Sequence, residues 1–434
     1  MASSSTTPVV VVGGSIAGMA AAARLAKLGH PVQLFEARDR LGGSWAAYKQ
    51  EGVPVDDAPS VLHFPAPWRD LFRKSGRPLE AELARTKVAL TPAEPARYVF
   101  GDGSELVLPS ERGDQYYALA DAYGAAVASR WRDLVDDLVQ VWQTLRPLGL
   151  EGELRDRGQL APHRATLRAR QSISQLADDL AEPHLAALVR SVAFRLGSHP
   201  DRTPAWCAVE LAVQRTFGRW CITSAQPGQT GRSSVLVEAL ASRLALRKVA
   251  VQLGASVTRI DTAAPRGAVV TLADGTSVLA AAVVCTVDPW QTYTELLGPP
   301  GWRTRRTMRH WEPASAPHVA HHLVDERTAT VSETVALTGD GCPTITYARP
   351  SGDLTLRSVH DYADPTPRRS AGLAWHGFNS WLDRPPVSTE TPGLFLAGPF
   401  SRAGAAASAV VLSGALASYA CSDHLGPPTP RAGR

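Results

Sequence analysis

Gly13, Gly14, Ser15, Ile16, Ala17 and Gly18 stand between a run of four valines, Val9 to Val12, and a stretch rich in alanine. Small residues there let backbone N–H groups and the start of a helix approach a pyrophosphate. A second apolar run, Pro31 to Phe35, ends in Glu36, Ala37 and Arg38, and Glu36 lies 18 residues beyond Gly18. A carboxylate at that point accepts hydrogen bonds from ribose hydroxyls and disfavours a 2′-phosphate, which favours FAD or NAD over NADP. Ser15 occupies the place of the middle glycine of G-x-G-x-x-G. It adds one Cβ and a hydroxyl able to donate to a phosphate oxygen. Gly42, Gly43 and Ser44 follow and offer a second close approach beside the first.

Other chemistry is sparse. The five cysteines, Cys207, Cys221, Cys285, Cys342 and Cys421, form no C-x-x-C pair, which argues against a disulfide framework and a zinc knuckle. His318, His321 and His322 read as strand or loop histidines, because no carboxylate stands at metal-binding spacing. No Ser/His/Asp set or paired carboxylates compete with the nucleotide site, and His376 is the best acid/base candidate.

These groups need elements to hold them. Strand, helix and strand over residues 9–36 make a βαβ unit, with Gly29 ending the helix. Asp274-Gly275 and the "FGDGSE" turn within Arg97 to Pro109 are hairpin signals. The latter starts an antiparallel sheet. Residues 281–287 read as a fully buried strand. Trp131 to Leu145 places Trp131, Leu134, Val135, Leu138, Trp142 and Leu145 on one helical face, with Arg130, Arg132 and Arg146 at its ends. Leu394 to Ala397 is a short buried strand, Gly398 permits a turn, and a helix of Ala, Ser and Gly begins near Ala405.

At this point the chain resembles the phytoene desaturase-like flavoproteins of the amine oxidase and carotenoid desaturase superfamily. The resemblance rests on the opening glycine unit with Glu36 and "RDRLGGS", and on "GVPVDDAPSVLHFP". It continues through "GQTGRSSVLVEALASRL", the segment around "ASVTRID" and "GLFLAGPFSRAGAAASAVVLSGALASYA". It implies an FAD whose adenine meets Val257 and whose ring passes near Pro59, Ser60 and Val61, while Asp56 and Asp57 shape a turn. It implies that Gly398, Pro399 and the last helix with Val410 close the site, the helix N-terminus facing the pyrimidine side of the ring. Ser44 stands where the family carries a basic residue, and Pro399 stands where many members carry Asp. Trp375, His376, Phe378 and Trp381 precede this block and are the first choice for lining the cavity. Trp375, His376 and Arg402 are the candidate catalytic residues, and Arg232 stands beside the other glycine-rich segment.

The fold class implied is α/β: a discontinuous Rossmann-type FAD-binding domain with an inserted α+β substrate domain built on an antiparallel sheet. The motifs divide the chain into 1–66, 225–300 and 385–425 for FAD, 67–224 and 301–384 for substrate, and a disordered tail at 426–434. "GQTGRSS" follows no evident strand, so a single dinucleotide is expected. The expected function is an FAD-dependent dehydrogenase or desaturase taking a hydride from a small apolar isoprenoid or natural-product intermediate, reoxidised by a quinone, oxygen or another acceptor. The alternatives are a non-redox isomerase or cyclase, and a prenyl- or lipid-binding protein with weakened or lost FAD binding.

The 434 residues are 44% hydrophobic and 20% charged, enough for two or three domains. A formal charge of +4 spread over dispersed arginines argues against a nucleic-acid partner. With no signal-peptide pattern and no long apolar run, a cytoplasmic location is expected, compatible with peripheral contact at the inner membrane face.

Overall fold

A computed structural model describes residues 7–226, 228–264 and 267–427. Its first strand, β1 (Val9–Val12), is β-branched throughout and buried on both faces, as a strand inside a parallel sheet must be. Helix α1 (Ile16–Leu28) follows, with Ser15 as its N-cap and Gly29 at a φ of +101° as its C-cap. Its alanines make it slim enough to pack closely on the sheet. Strand β2 (Val32–Phe35) returns parallel to β1.

These strands belong to a five-stranded sheet assembled from distant segments, in the order Ala250–Gln252, β2, β1, Ala282–Cys285 and Leu394–Leu396. Every pairing in it is parallel. The buried strand expected at 281–287 is its fourth member. The last helix, Ala407–Leu425, returns against α1. A Cβ at Gly414 would lie 2.4 Å from the carbonyl oxygen of Ala17, so the two helices meet backbone to backbone.

The second large sheet has six strands, in the order Ser315–Val324, Leu354–Pro367, Pro343–Ser351, Ser332–Leu337, Ala96–Phe100 and Glu105–Leu108. It is antiparallel except where Ser332–Leu337 runs parallel to Ala96–Phe100. Both expected hairpins form, one joining Ala96–Phe100 to Glu105–Leu108 and the other joining Ala268–Leu272 to Ser277–Ala280. The helix expected over 131–145 spans Ala125–Leu145 and buries all six of the apolar positions named above.

Two expectations change. Residues 67–92 were assigned to the substrate side, yet Trp68, Leu71, Phe72, Leu79, Leu83, Val88 and Leu90 share one apolar core with β1, α1 and the last helix. Arg243 fastens them there: its guanidinium donates to the carbonyls of Phe72 and Arg77 and pairs with Glu82 at 2.6 Å. The motif ends marked where cofactor-like sequence stops, not where packing changes. Secondly, a strand does precede "GQTGRSS": Arg219–Ser224. It pairs antiparallel with Val61–His63 and Val88–Pro92, so it starts no second parallel nucleotide unit. Residues 428–434, most of the expected tail, lie outside the described residues. Among the described residues no helix is long and apolar enough to cross a membrane.

Candidate functional site

The carboxyl ends of the parallel strands open on a cavity of about 960 Å³. This is where ligands bind in open α/β sheets. At one end lie Gly13, Glu36 and Val257. Gly13 has a φ of +100°, and a Cβ there would fall 2.5 Å from Thr286 Oγ1, so both conformation and space demand glycine. Gly18 lies outside the lining, and a Cβ there would be 2.1 Å from the Gly13 carbonyl oxygen. Its role is to let α1 start directly against β1.

Glu36 lines the cavity from the end of β2. Its Oε2 accepts from the Gly14 N–H at 2.6 Å and its Oε1 from the Arg38 N–H at 2.8 Å. Two lone-pair positions are thereby used, and the others are left for hydroxyl donors. Gly42, at a φ of +110°, donates to the Gly14 carbonyl at 2.8 Å and so holds the second glycine turn against the first.

Ser15 borders the cavity and joins two elements. Its hydroxyl accepts from the Gly18 N–H at 3.4 Å and meets Thr286 Oγ1 at 3.1 Å. The Thr286 hydroxyl reaches the carbonyls of Val12 and Gly13 at 3.1 and 3.2 Å. The side chain, which lines the cavity, thereby ties α1 to the end of strand Ala282–Cys285.

Ala37, Arg38, Gly43, Ser44, Ile16, Pro59, Val61, Pro399 and Val410 also line the cavity. Gly14, Ala17, Ser60 and Gly398 do not, and stand behind the wall. Asp56 shapes the expected turn, accepting from the Ala58 N–H at 3.2 Å, and also accepts from the Ser234 N–H at 3.0 Å. Asp57 faces the cavity. Burial opposes its ionisation, yet hydrogen bonds from His321 and Tyr48 hold its pKa below the ordinary value. His318, His321 and His322 lie on a strand of the six-stranded sheet, and among the described residues no cluster could hold a metal ion.

At the other end the cavity meets the first turn of the last helix. Ser408 donates to the carbonyls of His63 and Phe64 at 3.2 and 2.7 Å, drawing that segment against the helix start. Phe64 is held at a φ of +58°, an uncommon conformation for a bulky residue. Its ring packs edge-on to Trp142 with centroids 4.9 Å apart. Trp206, Trp375 and Trp381 form a further wall, with Trp206 at 5.1 Å from Trp375 and 4.5 Å from Trp381.

Two catalytic candidates have other employment. His376 lies outside the lining, and its Nε2 sits 2.7 Å from Glu312 Oε2. Phe378 is likewise outside. Arg402 borders the cavity, but its guanidinium donates to the carbonyls of Arg384, Leu154, Arg155 and Leu382 at 2.6 to 3.1 Å. It is a staple between loops. Arg232 is outside the lining and pairs with Glu238 at 2.8 Å.

Sequence reasoning missed Thr286, His63, Arg195, Glu210, Tyr347 and Tyr362, all of which line the cavity. Thr286 had a signal, since it directly follows a buried parallel strand. The others come from separate elements and had none.

An extended cavity edged by glycines and a carboxylate at one end and reaching a long helix start at the other fits a flavin dinucleotide. The comparisons agree. The chain belongs to the flavin containing amine oxidoreductase family, which residues 16–352 match. Within it the chain is phytoene desaturase-like. It is 28% identical over 334 residues to a lycopene-forming phytoene desaturase of a Paracoccus species, covering 73% of this chain and 64% of that one. It is 28% identical to a hydroxyneurosporene desaturase of Cereibacter sphaeroides, covering 73% and 66%. The chain thus spans less than two thirds of the length of these relatives. A solved structure of putrescine oxidase bound to putrescine has a TM-score of 0.64 at 15% identity, covering 96% of this chain and 99% of that one. Cyclohexylamine oxidase from Brevibacterium oxydans gives 0.63, also at 15%, over 96% and 99%. At such identity these two speak for the fold alone. FAD is the cofactor of this chain.

Proposed function

We propose that the protein is an FAD-dependent dehydrogenase or desaturase that withdraws a hydride from a carbon of an apolar isoprenoid or natural-product intermediate. The observation that carries this reading is that one cavity runs from Glu36 to the aromatic walls of Phe64, Trp142 and Trp206. When bound, FAD supplies the hydride acceptor, N5 of its ring. Relatives named for desaturation of phytoene support the substrate class.

On this reading the segments of the five-stranded parallel sheet make a discontinuous Rossmann-type FAD-binding domain. The six-stranded sheet with helix Ala125–Leu145 makes the inserted substrate domain. Glu36 would hold the adenosine ribose, the glycines at 13, 42 and 43 would admit the phosphates, and Val257 would border the adenine. The start of the last helix would place partial positive charge toward the ring, while Trp142, Trp206 and Trp375 would exclude water and orient the apolar substrate. A quinone or oxygen would take the two electrons of the hydride onward, and the proton lost from the neighbouring carbon would leave to solvent.

The test is an absorbance spectrum of the purified protein, followed by anaerobic addition of phytoene and of shorter isoprenoids. A flavin band that bleaches with one of them is expected. A colourless protein that takes up no added FAD would overturn the reading in favour of a prenyl- or lipid-binding role.

A further inference from the structure

The aromatic cavity contains more hydrogen-bonding groups than a hydrocarbon could use. Tyr347 and Tyr362 project from adjacent strands of the six-stranded sheet and line the cavity, and neither phenol has a protein hydrogen-bond partner among the described residues. Burial pushes the pKa of Tyr362 up to about 12 and that of Tyr347 well above its ordinary value, so both hydroxyls stay protonated and able to donate. His63 lines the same cavity and faces Glu210 at 3.5 Å through Nδ1, while its Nε2 is buried without a partner among the described residues. Burial, with Arg195 and Arg219 nearby, holds the His63 pKa well below its ordinary value, so the ring is neutral.

The charges around these groups cancel in pairs. Arg195 is ion-paired with Glu210, and Arg219, behind the phenols, is ion-paired with Glu333. Beside the phenols and His63, among the described residues, a carboxylate or phosphate would therefore find both guanidinium groups already paired, and an ammonium would find both carboxylates already paired. A plain hydrocarbon would leave buried donors unpaired, which is unfavourable. Ile345, Val213 and Phe64 complete the wall with apolar surface.

We infer that the cavity receives a hydroxylated isoprenoid or similar amphiphile, whose neutral hydroxyl accepts from Tyr347 or Tyr362 and donates to Nε2 of His63. This deepens the function proposed above and rests on it. Because Ser408 ties the His63–Phe64 segment to the first turn of the last helix, the oxygen would sit close to the ring end of the cofactor site.

The experiment titrates the FAD-loaded protein with matched pairs, geraniol against myrcene and farnesol against farnesene, and reads the perturbation of the flavin band. At least about tenfold tighter binding of an alcohol than of its hydrocarbon is expected, the cost of leaving buried polar groups unmatched. Y347F and Y362F keep each ring and remove its hydroxyl. They should lower alcohol affinity about five- to tenfold, leave hydrocarbon affinity the same or raise it, and leave flavin content unchanged. A flavin-loaded protein that binds the members of each pair equally, or binds no alcohol, overturns the inference. So does an alcohol preference that survives in both variants. A protein that never carries flavin instead sinks the function on which the inference rests, and the two failures are thereby told apart.

Discussion

Glu36 ties the βαβ turn together before any nucleotide arrives, because both its oxygens accept from backbone N–H groups at 2.6 and 2.8 Å. E36A should therefore cut FAD occupancy several-fold and also lower stability by about 1 to 3 kcal/mol, through loss of charge-assisted hydrogen bonds. Flavin absorbance per protein and a urea titration measure the two effects, and unchanged occupancy would remove Glu36 from the ribose. Thr286 joins Ser15 to the carbonyls of Val12 and Gly13. T286V keeps the shape and deletes the hydroxyl, so a loss of about 1 to 2 kcal/mol is expected in the same titration. Glu36 and the glycines were legible because their work depends on neighbours in a local unit. His376 lies outside the cavity and Arg402 borders it with its guanidinium held by backbone carbonyls, because proximity in sequence to the last cofactor segment does not say which way a side chain points. Glu312 and four backbone carbonyls, from segments far along the chain, decided that.

The last helix and α1 meet where Gly414 faces Ala17. Small residues along both helices permit this approach, and it fixes the helix start relative to the glycine turn. G414V should push the helices apart, at a cost of about 1 to 3 kcal/mol for overpacking, and should reduce flavin retention together with thermal stability. Wild-type behaviour would mean that the helix start is positioned by other contacts. Hairpins at Asp102-Gly103 and Asp274-Gly275 were readable because a glycine after aspartate, here at φ of +83° and +85°, marks a tight loop, which in both cases closes over three residues rather than two. The placement of residues 67–92 was not. Their helices pack on the parallel-sheet core through Trp68, Phe72 and the buried Arg243, and nothing in their own periodicity names that partner.

For the molecule as a whole, the buried histidines set a pH dependence. His360 is almost fully buried, and burial lowers its pKa from 6.5 to about 4. Between those values the unfolded chain binds the proton and the folded chain does not. Stability is therefore full above about pH 6.5 and declines as pH falls toward 4, by roughly 3 kcal/mol for a shift of this size. His63 acts in the same direction. Denaturation midpoints measured from pH 7 to pH 4.5 should fall, and H360F, which keeps a ring beside Tyr347, should flatten the slope. An unaltered slope would place the dependence elsewhere. The amino-acid order alone determined the βαβ unit, the hairpins, the long amphipathic helix and the nucleotide-binding character of the opening turn, because each follows from interactions within a few dozen residues. Only the tertiary structure decided which histidine and arginines border the cavity and that two phenols hang over it. Those positions depend on strands and helices brought together from across the chain, where packing rather than local preference selects the neighbours.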